Sequence, residues 1–318
     1  MRTRPFIPHF SVVIALLLSL PLHAQPVAQP RTTVTVAAYN IENLFDVFDD
    51  PYTADEGTKV KPREQLEQVA TMIRKLNADV IAFEEIENEN VLKAFITEML
   101  GDMNYKYVAA ATTNDGRGIR TAIASRLPIQ SIVSYRFLDL TLEGDQRTWR
   151  FARDLMHVKL EVSKDRTLHA FVVHLKSKSS RGEGDDKQGA SWRLAEATMA
   201  RKIIDGILAK EPDAWILMTG DLNDTPDSPP IKQLIGDLPA SATRAASKGL
   251  TDLHEHLMGE DAISYLKKPY RSRIDYILTS PALAKRVVKE SAKIVNSDTT
   301  LTAGSDHAPI IATFDVKE

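Results

Sequence analysis

The chain of 318 residues is 43% hydrophobic and 26% charged, enough apolar material for one large α/β domain or two ordinary ones, and it carries a formal net charge of −3. It has no cysteine, which excludes disulfides, thiolate catalysis and attachment through a lipidated cysteine. The mild acidity argues against a protein that tracks long nucleic acid through many phosphates, since that affinity comes from a surplus of Lys and Arg.

The first 24 residues read as a secretory signal peptide. Arg2 and Arg4 precede an apolar run from Val12 to Leu22, and small Ala24 stands before Gln25. The run is short of the roughly 20 residues a membrane span needs, so no stable membrane insertion is expected after cleavage. Loss of residues 1–24 removes two positive charges and no acid, leaving a mature chain at −5. The expected location is the periplasm or the medium, and the expected state is a monomer. Residues 25–33 read as a spacer, and 34–318 as a single catalytic domain.

From there, strand-like and helix-like segments alternate. "TVTVAAYNIENLF" is β-branched and aromatic and reads as a strand through Tyr39. "KPREQLEQVATMIRKLN" places Leu66, Val69, Ile73 and Leu76 at helical spacing behind Pro62. A buried strand "ADVIAFEEI" and a short helix "NVLKAFITEML" follow, then five strands: "YKYVAA", "RTAIASR", "SIVSYRFL", "DLMHVKLEV" and "TLHAFVVHL". In "ASWRLAEATMARKIIDGILAK" the apolar face is Trp192, Ala195, Met199, Ile203 and Ile207. "AWILMTG", "RIDYILTS" and "IIATFDV" bring the named strand segments to ten, and the about 12 strands expected for the domain are too many for one sheet with helices and short turns mixed in. The expectation is α/β, with two packed mixed sheets flanked by helices.

Polar groups recur where these strands end. Asn40 follows "VTVAAY", Glu84 and Glu85 follow "VIAF", and His174 closes "AFVV". Asp221 and Asn223 follow "WILMTG", Asp275 sits inside "RIDYIL", and Asp306 and His307 precede the final strand. Strand ends on one side of a sandwich share a rim, so these groups can meet in one cleft. Carboxylates and amide oxygens there are hard ligands suited to Mg2+, Mn2+ or Ca2+, and histidines supply acid, base or charge near neutral pH. Asp224 reads as a turn residue, His157 as a surface histidine alternating with Lys159 and Glu161, and His254 receives no role.

In order, "YNIENLF", "DVIAFEEIEN", "FARDLMHVKL", "VVHLKSK", "TGDLND", "SRIDYIL" and "SDHAPI" resemble the motif series of the endonuclease/exonuclease/phosphatase superfamily, the group of deoxyribonuclease I, exonuclease III, the neutral sphingomyelinases and the inositol polyphosphate 5-phosphatases. The resemblance spans roughly residues 34–318 and is similar in pattern to exported bacterial members. It implies a four-layered, deoxyribonuclease I-like α/β sandwich and a magnesium-dependent phosphoesterase. On matching positions it implies Asn40, Glu85 and Asp306 as metal-linked groups, with Glu84 the rival to Glu85. It implies Asp221 and Asn223 as holders of the attacking water and the phosphoryl oxygens. His307 would contact the phosphate or take the water's proton, with Asp275 orienting it, and His174 would assist the leaving group or steady the phosphate. Arg153 matches a phosphate-contacting position. Lys176, Lys178 and Arg181 form a basic cluster after His174, and Lys176 and Arg193 are further phosphate-binding candidates. The expected activity is metal-dependent hydrolysis of phosphodiesters, foremost as a nuclease. A small or lipid phosphoester is the alternative substrate, and a non-catalytic binding module the third reading, disfavoured because no expected acid, amide or histidine is missing.

Overall fold

The computed structural model describes residues 31–178, 187–236 and 249–317. The leader, the spacer up to residue 30 and Arg181 lie outside the described residues. The strands are β1 (Thr33–Leu44), β2 (Val80–Ile86), β3 (Tyr107–Ala110), β4 (Arg120–Ser125), β5 (Ile129–Ser134), β6 (Leu155–Ser163), β7 (Arg166–His174), β8 (Trp215–Asp221), β9 (Thr251–Asp252), β10 (Asp275–Thr279), β11 (Lys293–Ile294) and β12 (Ile310–Asp315). The helices are α1 (Arg63–Leu76), α2 (Glu89–Leu100), α3 (Ala190–Leu208), α4 (Pro229–Ile235) and the single turn α5 (Pro281–Ala284).

The strands form two six-stranded sheets, ordered β11-β12-β1-β2-β4-β3 and β5-β6-β7-β8-β10-β9. Each is mixed, with β1 parallel to β2 in the first and β7 parallel to β8 in the second, the other pairs being antiparallel. Alternation along each strand sends one set of side chains between the sheets and the other under helices. Val36, Ala38, Ala82 and Ile123 of the first sheet meet Val158, Ala170, Val172 and Leu217 of the second in the central layer. The opposite faces bury Tyr39, Ile81 and Phe83 against α1 and α2, and Phe171, Ile216 and Met218 against α3 and α4. These are the four layers expected from the strand count.

The buried stripe of α3 is rotated from the expected one. Arg193, Ala195, Glu196, Ala197, Ala200, Arg201 and Ile204 are buried, while Trp192, Met199, Ile203 and Ile207 are partly covered. Apolar periodicity missed this because three of the inward residues are charged and paired: Arg193 with Asp224, Arg201 with Asp205 and the Leu234 carbonyl, and Glu196 with two backbone amides. His157 also departs from expectation. It is buried, stacked 4.2 Å from the Phe171 ring and hydrogen-bonded to His169 at 3.1 Å. Its face of β6 is covered at the His157 end and opens to solvent only toward Lys159 and Glu161.

Candidate active site

Register places three of the expected groups in a row across the second sheet. On the adjacent strands β7, β8 and β10, His174 stands opposite Asp221, and Asp221 opposite Asp275. In the first sheet Asn40 on β1 stands opposite Glu84 on β2. The approach to β12 supplies His307, so the groups converge at the seam between the sheets although they span most of the chain.

The opening of the second half of "TGDLND" explains itself here. Gly220 has φ 133, and a Cβ on it would lie 2.1 Å from the Val173 carbonyl oxygen and 2.6 Å from Glu84 Oε1. Only glycine lets β8 approach β7 and the first sheet this closely. Nearby backbone strain is concentrated at the same seam: Glu42, Asn43, Glu85 and Asn223 all have positive φ between 51° and 63°. Such non-glycine residues cost energy that the surrounding structure must offset, and they turn side chains out of the strand alternation toward the mouth. Register shifts in β1 and β2 accompany Glu42 and Glu85.

His307 Nδ1 lies 2.9 Å from Asp275 Oδ2 and 3.2 Å from its Oδ1. Asn40 Nδ2 donates to Asp221 Oδ2 at 3.2 Å and reaches His307 Nε2 at 3.5 Å. The Ser305 hydroxyl donates to the Asn40 carbonyl and accepts from the His307 amide, fixing both residues. The Asn223 amide donates to Asp221 Oδ1 at 2.8 Å, while its side chain donates to the Leu175 carbonyl. His174 Nε2 stands 3.4 Å from Asp221 Oδ2. Thus Asp221 is ringed by an amide, a backbone N–H and two imidazoles.

Burial opposes charging His307, yet Asp275, Asp221 and Asp306 together hold its pKa well above that of an ordinary histidine. These carboxylates favour the charged form of the ring. Burial and the cations Arg153, His307 and Arg117 drive His174 well below the ordinary value, so it is neutral. Burial also raises Asp221 against the attraction of His307, with Asp275 and Glu85 adding to the rise. Glu84 is completely buried, and neither carboxylate oxygen has a hydrogen-bond partner. Burial and the charges of Asp275 and Asp221 raise its pKa well above normal, so it is the neutral acid of the cluster.

Glu85 is half-buried at the mouth, where it acts electrostatically on Asp306, Lys61 and Tyr265. Asp306 is pushed up to about 6 by burial and, against the attraction of His307, by Glu42 and Glu85. Glu42 Oε2 accepts from the Asp306 amide at 3.0 Å. Glu42 and Glu85 are half-buried acids that act on Asp306 at the mouth, and their oxygens are of the kind a divalent cation prefers. Asn40 Oδ1 accepts from the Glu42 amide and keeps one lone pair for such an ion. Asp221, Asp275 and His307 also present donor atoms within 4.8 Å of one another. Among the described residues it is this trio whose donor atoms gather closely enough for an ion, although the Asp275–His307 bond would have to open to admit one.

Sequence reasoning missed Glu42, Lys61 and Tyr265. Lys61 is buried and donates to the Gly304 carbonyl at 2.9 Å, and the Tyr265 ring lies 5.0 Å from His307. Glu42 had a signal, since it stands two positions after Asn40 in "NIE" and strand alternation puts both on one face. Arg153 donates to the Leu175 carbonyl at 3.0 Å and pairs with Asp115 at 3.2 Å, beneath the loop that carries His174. Arg193 is buried and donates to Asp224 and to the Lys176 and Gln188 carbonyls, tying the same loop to α3. Asp224 is no plain turn residue, because its carboxylate accepts from Arg193 Nε at 3.0 Å and Lys178 Nζ at 2.6 Å. Lys176 Nζ lies 4.1 Å from the Trp192 ring centroid.

The Endonuclease/Exonuclease/phosphatase family model matches residues 35–305. The chain belongs to this family. Its fold is similar to that of a Bacteroides vulgatus endonuclease/exonuclease/phosphatase (TM-score 0.59, 16% identity, covering 90% of this chain and 100% of that one). It is also similar to the human Nocturnin catalytic domain with a bound sulfate anion (0.61, 16%, 89% and 94%) and to ANGEL2, a 2',3'-cyclic phosphatase (0.61, 15%, 89% and 95%). No curated protein sequence matches the chain. Family and sandwich make this a phosphoesterase fold, and among the described residues no helix is long and apolar enough to cross a membrane.

Proposed function

We propose that this protein is an exported, divalent-metal-dependent phosphodiesterase that hydrolyses nucleic acid by in-line attack of water. The observation that carries the reading is the buried pair at the seam, His307 held by Asp275 at 2.9 Å beside the Asp221 carboxylate. The Asp221 carboxylate, its Oδ2 held by Asn40 and its Oδ1 by the Asn223 amide, is placed to orient the water and receive its proton. The fixed charge of His307 favours a role on the phosphoryl oxygens over that of a base, since an imidazolium has no proton vacancy. His174, neutral, serves as a hydrogen-bond donor through Nε2. Glu42, Glu85, Asp306 and Asn40 would hold the metal, which when bound offsets charge on the phosphate and the departing oxygen. The apolar leader, Arg2 and Arg4 support export.

The test is a panel of plasmid DNA, RNA, sphingomyelin, inositol phosphates and bis-p-nitrophenyl phosphate, each with Mg2+, Mn2+, Ca2+ or a chelator. Hydrolysis of nucleic acid that a chelator stops and Mg2+ or Mn2+ restores is expected. Turnover confined to lipid or inositol phosphate would shift the substrate class, and full activity of metal-stripped protein in chelator would overturn the metal assignment.

A further inference from the structure

A row of alternating cations and aromatic rings leaves the candidate active site along one rim. It begins at Lys176, two residues after His174, whose ammonium sits 4.1 Å from the Trp192 ring centroid. The Trp192 indole N–H donates to the Arg150 carbonyl at 2.7 Å. Arg150 in turn lies 5.9 Å from the Phe137 ring, and Arg136 covers that ring at 4.0 Å. Phe137 is nevertheless 64% exposed, so one ring face is open to solvent. An exposed phenylalanine is an ordinary surface feature when isolated, but this one has two guanidinium groups beside it.

The row is tied rigidly to the chemistry. Asn114 donates to the Arg136 and Phe151 carbonyls at 2.7 and 2.9 Å, and its own amide donates to the Arg153 carbonyl at 3.2 Å. Arg153 and Asn223 both donate to the Leu175 carbonyl, next to His174. Arg136 directs its Nη1 to neutral oxygens, the Thr113 carbonyl at 2.7 Å and the Asn114 amide at 3.5 Å. The acid beside Arg150 is Asp139, 3.6 Å away and largely exposed, an ion pair that water and salt weaken and that a phosphate can replace.

We infer that this row is a single-strand track: an unpaired base stacks on exposed Phe137 while Arg150 and Arg136 meet the flanking phosphates. This rests on the phosphodiesterase reading and narrows its substrate to unpaired DNA or RNA. Alternation of π faces with cations is what a single strand presents in complement, a base and a phosphate per nucleotide. Duplex nucleic acid hides its base faces and cannot use Phe137. The overall acidity of the chain is compatible with this, because stacking supplies affinity where a long basic surface is lacking.

Binding of a fluorescent 12-nucleotide single strand and of the matching duplex, measured by anisotropy in chelator so that no cleavage occurs, tests the track. Phe137→Ala should weaken single-strand binding by roughly five- to 150-fold, the range that loss of one base–aromatic stack produces, and Phe137→Trp should restore it. Arg150→Ala should lower the slope of log affinity against log salt by about 0.7, the loss of one phosphate contact. An unchanged single-strand affinity in Phe137→Ala, or an equal loss for duplex, overturns the track, as does Phe137-dependent binding to sphingomyelin vesicles in place of the oligonucleotide. Binding is read without turnover, so failure of the hydrolysis panel with an intact Phe137 effect would sink the enzymatic reading and leave the track standing.

Discussion

Asp275 and His307 are 32 residues apart in sequence and 2.9 Å apart in space, and in the proposed mechanism they act as one unit. Asp275→Asn keeps the shape and removes the charge that sustains the imidazolium. We expect it and His307→Ala each to lower kcat by about 10²- to 10⁴-fold, as loss of a positioned donor or acid–base group does. The double variant should be little worse than His307→Ala alone, and independent, multiplying losses would show that Asp275 has a separate role. Glu196 gives a pH prediction at the same scale. Burial takes its pKa to about 7, against the pull of the Ala152 and Lys176 amides that donate to its two oxygens. A folded-state pKa above the unfolded value means the native state binds the proton more tightly, so this contribution to stability is full below about 4.3 and is lost as pH rises toward 7. Glu196→Gln removes the titration and one acceptor. Its Tm deficit relative to the parent should therefore be larger at pH 5 than at pH 8, and a deficit independent of pH would contradict the shifted carboxyl.

At the scale of elements, the strands were legible as short apolar, β-branched runs bounded by turn residues, and the polar groups at their ends were legible as a set. What was not legible was whatever depended on a partner far away. The seam of β7 and β8 could not reveal that Gly220 must lack a Cβ, nor could "EE" reveal which acid turns inward; the positive φ of Glu85 decides it by rotating that side chain to the mouth while Glu84 stays between the sheets. The inward charges of α3 escaped for the same reason, since Arg193 is acceptable inside only because Asp224 is there. Breaking that buried pair from one side, by Asp224→Ala, should cost about 3 to 5 kcal/mol because the Arg193 charge is left uncompensated. Chemical denaturation should show it, and Arg193→Met with Asp224→Leu together should recover much of the loss. Gly220→Ala should be worse than either single change, as its methyl would meet the Val173 carbonyl oxygen at 2.1 Å.

For the molecule as a whole, acids from both sheets repel one another at the seam, and an ion that relieves this should stabilise the fold. Mg2+, Mn2+ or Ca2+ at 100 times its dissociation constant should add about 2.7 kcal/mol to the unfolding free energy and raise Tm. Glu85→Gln should reduce that gain far more than Glu84→Gln; the opposite ranking would place the ion deeper in the cluster. The architecture that creates the seam also fixes when it can exist. The first sheet takes β1 to β4 from early in the chain, the second takes β5 to β10, and the chain then returns so that β12 can pair with β1. A chain emerging from the ribosome thus carries Asn40, Glu85, His174, Asp221 and Asp275 before it has His307 or the strand that seats it. On the proposed roles, the chain stays unarmed during synthesis, and the step that completes its sheet is the one that assembles the site.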